Sequence, residues 1–340
     1  MTRSGAFAAA VFLGWILAQP AWAERQQPDC ARLQPVPWQA VVPGVWAWLP
    51  VNPSEAAPEN LGHVLATVII VHGAEALVVD PGPHFDHGWR VRASLHCRFG
   101  ARPVGVVNTH AHAKNVLANA AFADLQKSGQ LAIMASAGTS KAMPERCAAC
   151  LNQLARTLGE AAMLRTRITL PDRTLVDGEE LTLGTIKAQV LVAVHAHTES
   201  DLMLWLPAQK VLLAGGLVYG ARLPELAQGT VTGWLGAMQR ITALEPAIVI
   251  SDRVSEAPEA GGLPPAIVST HGYLRALRKR LTQAMDKGLL GSETQFVTWP
   301  EYSSQVDFDA RQGLNVQRAW RELEADWMSQ PAPNSSPKPD

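Results

Sequence analysis

The chain has 340 residues, 47% of them hydrophobic, and a formal net charge of −1. That length and apolar content suffice for one large core with an appendage. The balanced charge supplies no electrostatic footprint for nucleic acid or an anionic membrane surface.

The N-terminus is organised as a secretory signal peptide. Arg3 supplies the positive charge, residues 6–17 an apolar run too short to span a bilayer, and Ala21-Trp22-Ala23 a small-x-small cleavage site. Residues 1–23 are therefore expected to be removed, leaving a periplasmic or secreted protein without a membrane span. In that oxidising setting the four cysteines predict two disulfides. One would join Cys147 to Cys150, whose spacing lacks the further ligands a zinc knuckle needs, and the other would tie Cys30 to Cys97.

Alternation predicts a strand over 45–49, followed by a proline-rich loop over 50–62. Strands over 64–71 and 76–79 flank the hairpin sequence His72-Gly73-Ala74-Glu75. Asp80-Pro81-Gly82-Pro83 ends the second of these, and a helix is expected to run to about Phe99. A strand over 104–108 leads into Thr109-His110-Ala111-His112-Ala113-Lys114-Asn115, with a helix from about 115 to 127. Beyond a helix over 144–164, short strands are expected at 167–170, 180–183, 186–194, 202–206 and 211–213, then a helix over 233–244 and a strand over 247–250. Strands in two groups with helices between them suggest two packed sheets flanked by helices. Two amphipathic helices, 263–287 and 312–328, follow; their basic residues are balanced by acids and read as solvated faces. The Pro/Ser/Asn-rich tail over 330–340 reads as disordered.

Chemistry concentrates at His110 and His112. Two histidines one residue apart at a strand end can turn both imidazoles toward one point, and three such nitrogens would hold zinc with a position left open. The stretch resembles the metallo-β-lactamase superfamily, whose pattern here is His-x-His-x-Asp-His. Lys114 stands where the aspartate belongs and Asn115 where the last histidine belongs. The resemblance covers roughly residues 42–254. It implies an α+β, four-layer αββα sandwich over 24–255, here with a C-terminal helical extension over 256–329.

Carried over position by position, the resemblance makes His110, His112 and His197 the ligands of one zinc ion at most. His197 matches through Ala196-His197-Thr198-Glu199-Ser200-Asp201-Leu202. Asp80, in Val79-Asp80-Pro81-Gly82, would support the ligands from behind, although a turn-forming role before Pro-Gly is equally open. His195 has no counterpart in the family and reads as a surface histidine. The second-metal positions are all altered: Gly215-Gly216 replaces the expected Gly-Asp, and Asp252 stands near the final histidine. Lys114 and Asp252 are expected to pair in the vacated pocket, with Lys114 lending positive charge to a developing oxyanion. The bland alternative is a decayed site.

Residues 314–324 and the segment around Cys147 further resemble exported SoxH-type, quinoprotein-relay zinc metallohydrolases. The function this implies is hydrolysis of an ester, thioester or amide-like bond of a small molecule by zinc-bound hydroxide, with the 50–62 loop, Trp46 and Trp48 rimming the cleft. A second class of reading is a catalytically inactive paralogue that binds a ligand or a periplasmic redox partner.

Overall fold

A computed structural model describes residues 28–329 apart from 53 and 221; the expected signal peptide and tail lie outside the described residues. The first sheet takes its seven strands in chain order: β1 (Gln39–Val42), β2 (Val45–Trp48), β3 (Thr67–His72), β4 (Glu75–Val79), β5 (Arg102–Val107), β6 (Ala132–Ser136) and β7 (Arg173–Leu175). Pairing is antiparallel up to β4 and parallel from there to β7. Helices α1 (Phe85–Phe99), α2 (Ala113–Val116), α3 (Ala123–Lys127) and α4 (Ala137–Leu158) lie in its connections.

The second sheet has six strands: β8 (Glu180–Leu183), β9 (Ile186–Val194), β10 (Ser200–Leu206), β11 (Val211–Leu213), β12 (Ile248–Ile250) and β13 (Val254–Glu256). Helix α5 (Val231–Ala243) connects its parallel pair β11 and β12, and α6 (Pro265–Asp286) and α7 (Phe308–Met328) follow it.

Alternation decides which residues meet between the sheets. Val68, Ile70, Leu77, Val79 and Val107 face Val190, Leu202, Leu204 and Leu213 across one apolar layer. Each such side chain contributes about 1.5–3 kcal/mol when fully buried. The opposite face of the first sheet packs Ile69, Val78, Val106 and Ile133 under α1, with Val91 and Leu95. The outer face of the second sheet carries Met203, Leu212 and Val249 under Trp234, Leu277, Ala319 and Trp320. The result is the expected four-layer αββα sandwich, and the C-terminal helices share the core of its second helical layer rather than hanging from it.

Local differences from the sequence reading have physical causes. The region 115–127 is three short pieces, α2, a 3-10 turn over Leu117–Phe122 and α3, because it must wrap beneath α1. The run 167–170 is irregular, and the edge strand forms instead at Arg173–Leu175. Among the cysteines, Cys30–Cys97 is a disulfide, whereas the Cys147–Cys150 bridge is not formed: both thiols are free. Cys147 lies on the apolar face of α4 with Met143 and Leu154, and burial pushes its thiol up to about 12. The bridge that does form spans 67 residues, a loop long enough to contribute about 4 kcal/mol by constraining the unfolded chain.

Trp46 and Trp48 serve the core rather than a cleft. Trp46 packs edge-on against Phe99, while Trp48 stacks on His87 at 3.9 Å. His87 in turn neighbours His63 and His84, and all three imidazoles are buried. Burial lowers each of them, His63 to about 3. A histidine that is neutral when folded and takes up a proton at about 6.5 when unfolded contributes stability that is present above pH 6.5 and lost as pH falls toward 3. Asp80 and Asp201, which burial pushes up to about 7, act in the opposite sense, so the effect is read by difference. Between pH 7 and pH 4, His63→Gln is expected to lose about 3 kcal/mol less than the natural chain. Urea unfolding of both at the two pH values measures this; identical losses would refute the assignment to His63.

Candidate metal centre

Strand β5 ends at Val107, and its continuation brings Thr109, His110 and His112 to the rim of the sheet interface. His197 arrives from the other sheet, in the turn between β9 and β10. Leu202 N–H donates to the Thr109 carbonyl at 2.7 Å, stitching the two rims together. The three histidines are buried, and their nitrogens lie within 4.8 Å of one another. His195 is exposed, with φ +52°, and its carbonyl accepts from the Thr230 backbone and hydroxyl. It stands outside the cluster.

Hydrogen bonds on the far side of each ring determine which nitrogen faces inward. His112 Nε2–H donates to Gln228 Oε1 at 3.3 Å, and His197 Nδ1–H donates to the Glu225 carbonyl. A neutral imidazole has a single N–H, so His112 Nδ1 and His197 Nε2 both present lone pairs, 3.3 Å apart. His110 is oriented by a relay. Thr109 N–H and Oγ1–H donate to the two Asp80 oxygens at 2.8 and 2.6 Å, and His110 Nδ1–H donates to Thr109 Oγ1 at 2.8 Å. His110 Nε2 is thereby left as an acceptor. Asp80 is presented for this role by a left-handed backbone, φ +48°, which aspartate tolerates better than most residues.

Burial holds all three imidazoles well below the ordinary histidine range, the neighbouring imidazoles adding to the effect. Three neutral rings with converging lone pairs suit a cation. Tetrahedral zinc, with Zn–N bonds of about 2.0–2.1 Å, sets nitrogen pairs about 3.3 Å apart, the spacing His112 and His197 already have. Two of these nitrogens already have partners: Asn115 Nδ2–H donates to His110 Nε2 at 2.9 Å, and the Tyr219 hydroxyl lies 3.5 Å from His197 Nε2; an ion would displace both contacts, each worth about 1 kcal/mol at most. The donor set fits one zinc ion.

Other residues stand at the positions that the resemblance would assign to a second metal. A Cβ on Gly216 would fall 2.4 Å from His197 Cδ2 and 3.1 Å from His110 Cε1, so the rings occupy the space a bridging side chain would need. The expected Lys114–Asp252 pair is not what the structure builds. Lys114 pairs with Glu225 at 3.3 Å, while Asp252 accepts from Gly220 N–H at 2.8 Å and from the Ser251 hydroxyl at 3.2 Å. The reason is reach: Glu225 lies on the loop over the triad, whereas Asp252 is tied to the backbone at the end of β12.

Burial lowers Lys114 while Glu225 opposes the shift. Burial likewise works against ionisation of Glu225, but Lys114 and Arg311 hold its carboxyl well below the usual range. Arg311, on α7, also pairs with Glu55 of the 50–62 loop. That loop does reach the site, through Glu55. Glu225, Gln228 and Arg311 had no signal in the sequence, because two act through a carbonyl or an amide and all three come from segments without a motif.

Comparison with known proteins agrees with this architecture. The family model of the metallo-beta-lactamase superfamily matches residues 60–252. A metallo-beta-lactamase from Pseudomonas aeruginosa, solved in its mono-zinc form, superposes with a TM-score of 0.52 at 19% identity, covering 74% of this chain and 98% of that one. One from Pontibacter korlensis gives 0.50 at 18% identity, over 70% and 98%. At such identities these structures speak for the fold alone. A hydroxyacylglutathione hydrolase from Brucella anthropi is 30% identical over 79 residues, which is 23% of this chain and 30% of that enzyme's length. The family match spans more than half of the 340 residues: the chain belongs to the metallo-beta-lactamase superfamily.

Proposed function

We propose that the protein is an exported hydrolase with a single zinc site, acting on an ester, thioester or amide-like bond of a small molecule. The observation that carries this reading is the set of three inward lone pairs, each fixed by a hydrogen bond on the other side of its ring. His110, His112 and His197 would hold the ion. Bound there, zinc would supply Lewis acidity and make water more acidic.

The remaining work falls to the chain's own groups. Asp80 and Thr109 hold His110 in the Nδ1–H tautomer. From the covering loop, Glu225 holds His197 in the Nδ1–H form and Gln228 holds His112 in the Nε2–H form. Lys114, at the altered position of the motif and paired with Glu225, places a fixed positive charge where charge would develop on a substrate oxygen. The Cys30–Cys97 disulfide is compatible with an oxidising compartment. The resemblance of residues 314–324 to quinoprotein-relay metallohydrolases is in keeping with a periplasmic role.

Lys114→Met tests the catalytic half of this reading. With a p-nitrophenyl ester and an acyl thioester as probes, kcat/KM is expected to fall about 100-fold while zinc content stays at the natural level. Unchanged turnover would remove Lys114 from the chemistry. The second reading, a non-catalytic ligand- or partner-binding protein, is favoured by one observation, the filling of the second-metal space at Gly216. Full zinc occupancy without turnover of either probe would select it.

A further inference from the structure

The loop over the triad is held from the C-terminal helix. Asn315, on α7, accepts from Leu226 N–H at 2.9 Å and donates from Nδ2 to the Pro224 carbonyl at 2.7 Å. Its amide thus grips the backbone on both sides of Glu225. Nδ2 also donates to the Tyr273 hydroxyl at 2.7 Å, which donates onward to Gln312 Oε1 at 2.7 Å. Asn315 is 1% exposed and Tyr273 1%, so the grip is dry and its geometry closely constrained. Upstream, Leu223 N–H donates to the Val306 carbonyl at 2.9 Å. Arg311, one helical turn before Asn315, pairs with the Glu225 carboxylate itself.

Glu225 is where these restraints meet the centre. Its carbonyl accepts from His197 Nδ1–H, and its carboxylate pairs with Lys114. Three residues on, Gln228 accepts from His112 Nε2–H, and Gln228 N–H donates to the His197 carbonyl at 3.2 Å. One loop therefore supplies the outer hydrogen-bond partners of two of the three histidines, and one face of α7 holds that loop.

We infer that α7, through Asn315 and Arg311, sets the tautomer and position of His197 by holding segment 224–226, which makes Asn315 a positioning residue of the metal centre. The physical link is short. An imidazole is locked in one tautomer only while the acceptor opposite its N–H stays in place. The Glu225 carbonyl has no sheet or helix to hold it, because residues 222–230 are irregular; the Asn315 amide takes that part. Residues 256–329 are thereby a component of the site, not an appendage to the sandwich.

The inference toward zinc rests on the proposed single-metal reading, so the test has a metal-free arm. Ring 15N NMR of metal-free protein should show His197 as the Nδ1–H tautomer, and Asn315→Ala should convert it to a mixture or to Nε2–H. Zinc affinity, measured by competition with a chromophoric chelator, should fall tenfold or more in the same variant, on the order of what loss of an outer-shell partner does at other sites (about 10–100-fold).

Val316→Ala is the control. It trims packing on the adjacent face of α7, where Val316 is 5% exposed in the core, and should lower stability without moving either readout. Asn315→Asp keeps the acceptor for Leu226 N–H and loses the donor side, so it should shift both readouts in the same direction by less if the alanine variant fails to fold. An unchanged tautomer and affinity in both Asn315 variants would overturn the inference, as would equal changes in Val316→Ala. If the natural chain binds no zinc yet Asn315→Ala still releases the His197 tautomer, the positioning role stands and the hydrolase reading falls.

Discussion

Replacing His197 with alanine will leave a protein that no longer holds zinc. The natural chain, purified without chelator, is expected to carry about one zinc per molecule by elemental analysis. In His197→Ala the ion loses one of three nitrogens, roughly 3 kcal/mol or a factor of about 100 in affinity, and hydrolysis of the ester and thioester probes should fall at least as far. The deletion has further consequences: it unpairs the Glu225 carbonyl and opens space beside Trp234 and Tyr219, whose rings lie 5.4 and 5.9 Å from the imidazole. A loss of activity could then reflect general loosening. His195→Ala is the matched control, since that histidine belongs to the same His-x-His sequence but is exposed and outside the cluster. It should retain the zinc and the activity. A natural chain without metal, or a His197→Ala variant that keeps it, would end the single-zinc reading.

How much of this was legible in the sequence depends on the kind of signal each part leaves. The strands of the sheet interface show themselves by alternation, because one face of each must be apolar; β9, with buried and exposed positions alternating over Ile186–Val190, is the plainest case. The ligands show themselves because metal chemistry restricts residue type and a strand end restricts spacing. Strand β6 has a weaker signature: Ala132 to Ser136 is short, with Ile133 its one β-branched residue, and is made a strand by its parallel neighbours β5 and β7. Lys114 was recognisable as an intruder in a motif, but its partner was not. Motif position points to Asp252, which stands at another departure from the family pattern, whereas proximity in space selects Glu225, 111 residues away. Groups that act through backbone carbonyls or through amides gripping a loop leave no residue-type pattern, and these are what orient His112 and His197.

The same geometry predicts that a carboxylate placed at Gly216 will not create a second metal site. Gly216→Asp restores the carboxylate that the family pattern would place there, and on sequence grounds alone it should recover a ligand. The structure predicts the reverse. Gly216 is buried in a 3-10 turn over Gly215–Leu217, and any Cβ there meets His197 Cδ2 at 2.4 Å and Nε2 at 2.9 Å. Neither ring can retreat freely. His197 is held by the Glu225 carbonyl and flanked by Trp234, and His110 is held between Thr109 and Asn115. Relief must come from displacing the imidazoles or from moving the turn. Overpacking of this kind costs about 1–3 kcal/mol, and aspartate adds the desolvation of a carboxylate facing three rings instead of a second cation. Both Gly216→Ala and Gly216→Asp are therefore expected to lower stability and to weaken the first zinc by about tenfold or more, with alanine sufficient for most of the loss. Elemental analysis and chelator competition on the two variants check this. A Gly216→Asp protein holding two zinc ions would show instead that the rings can part, and that the gap marks only a missing ligand. On the expected outcome, glycine at 216 is a requirement of the way the three histidines now pack, so the change at the bridging position and the geometry of the remaining site belong to a single arrangement.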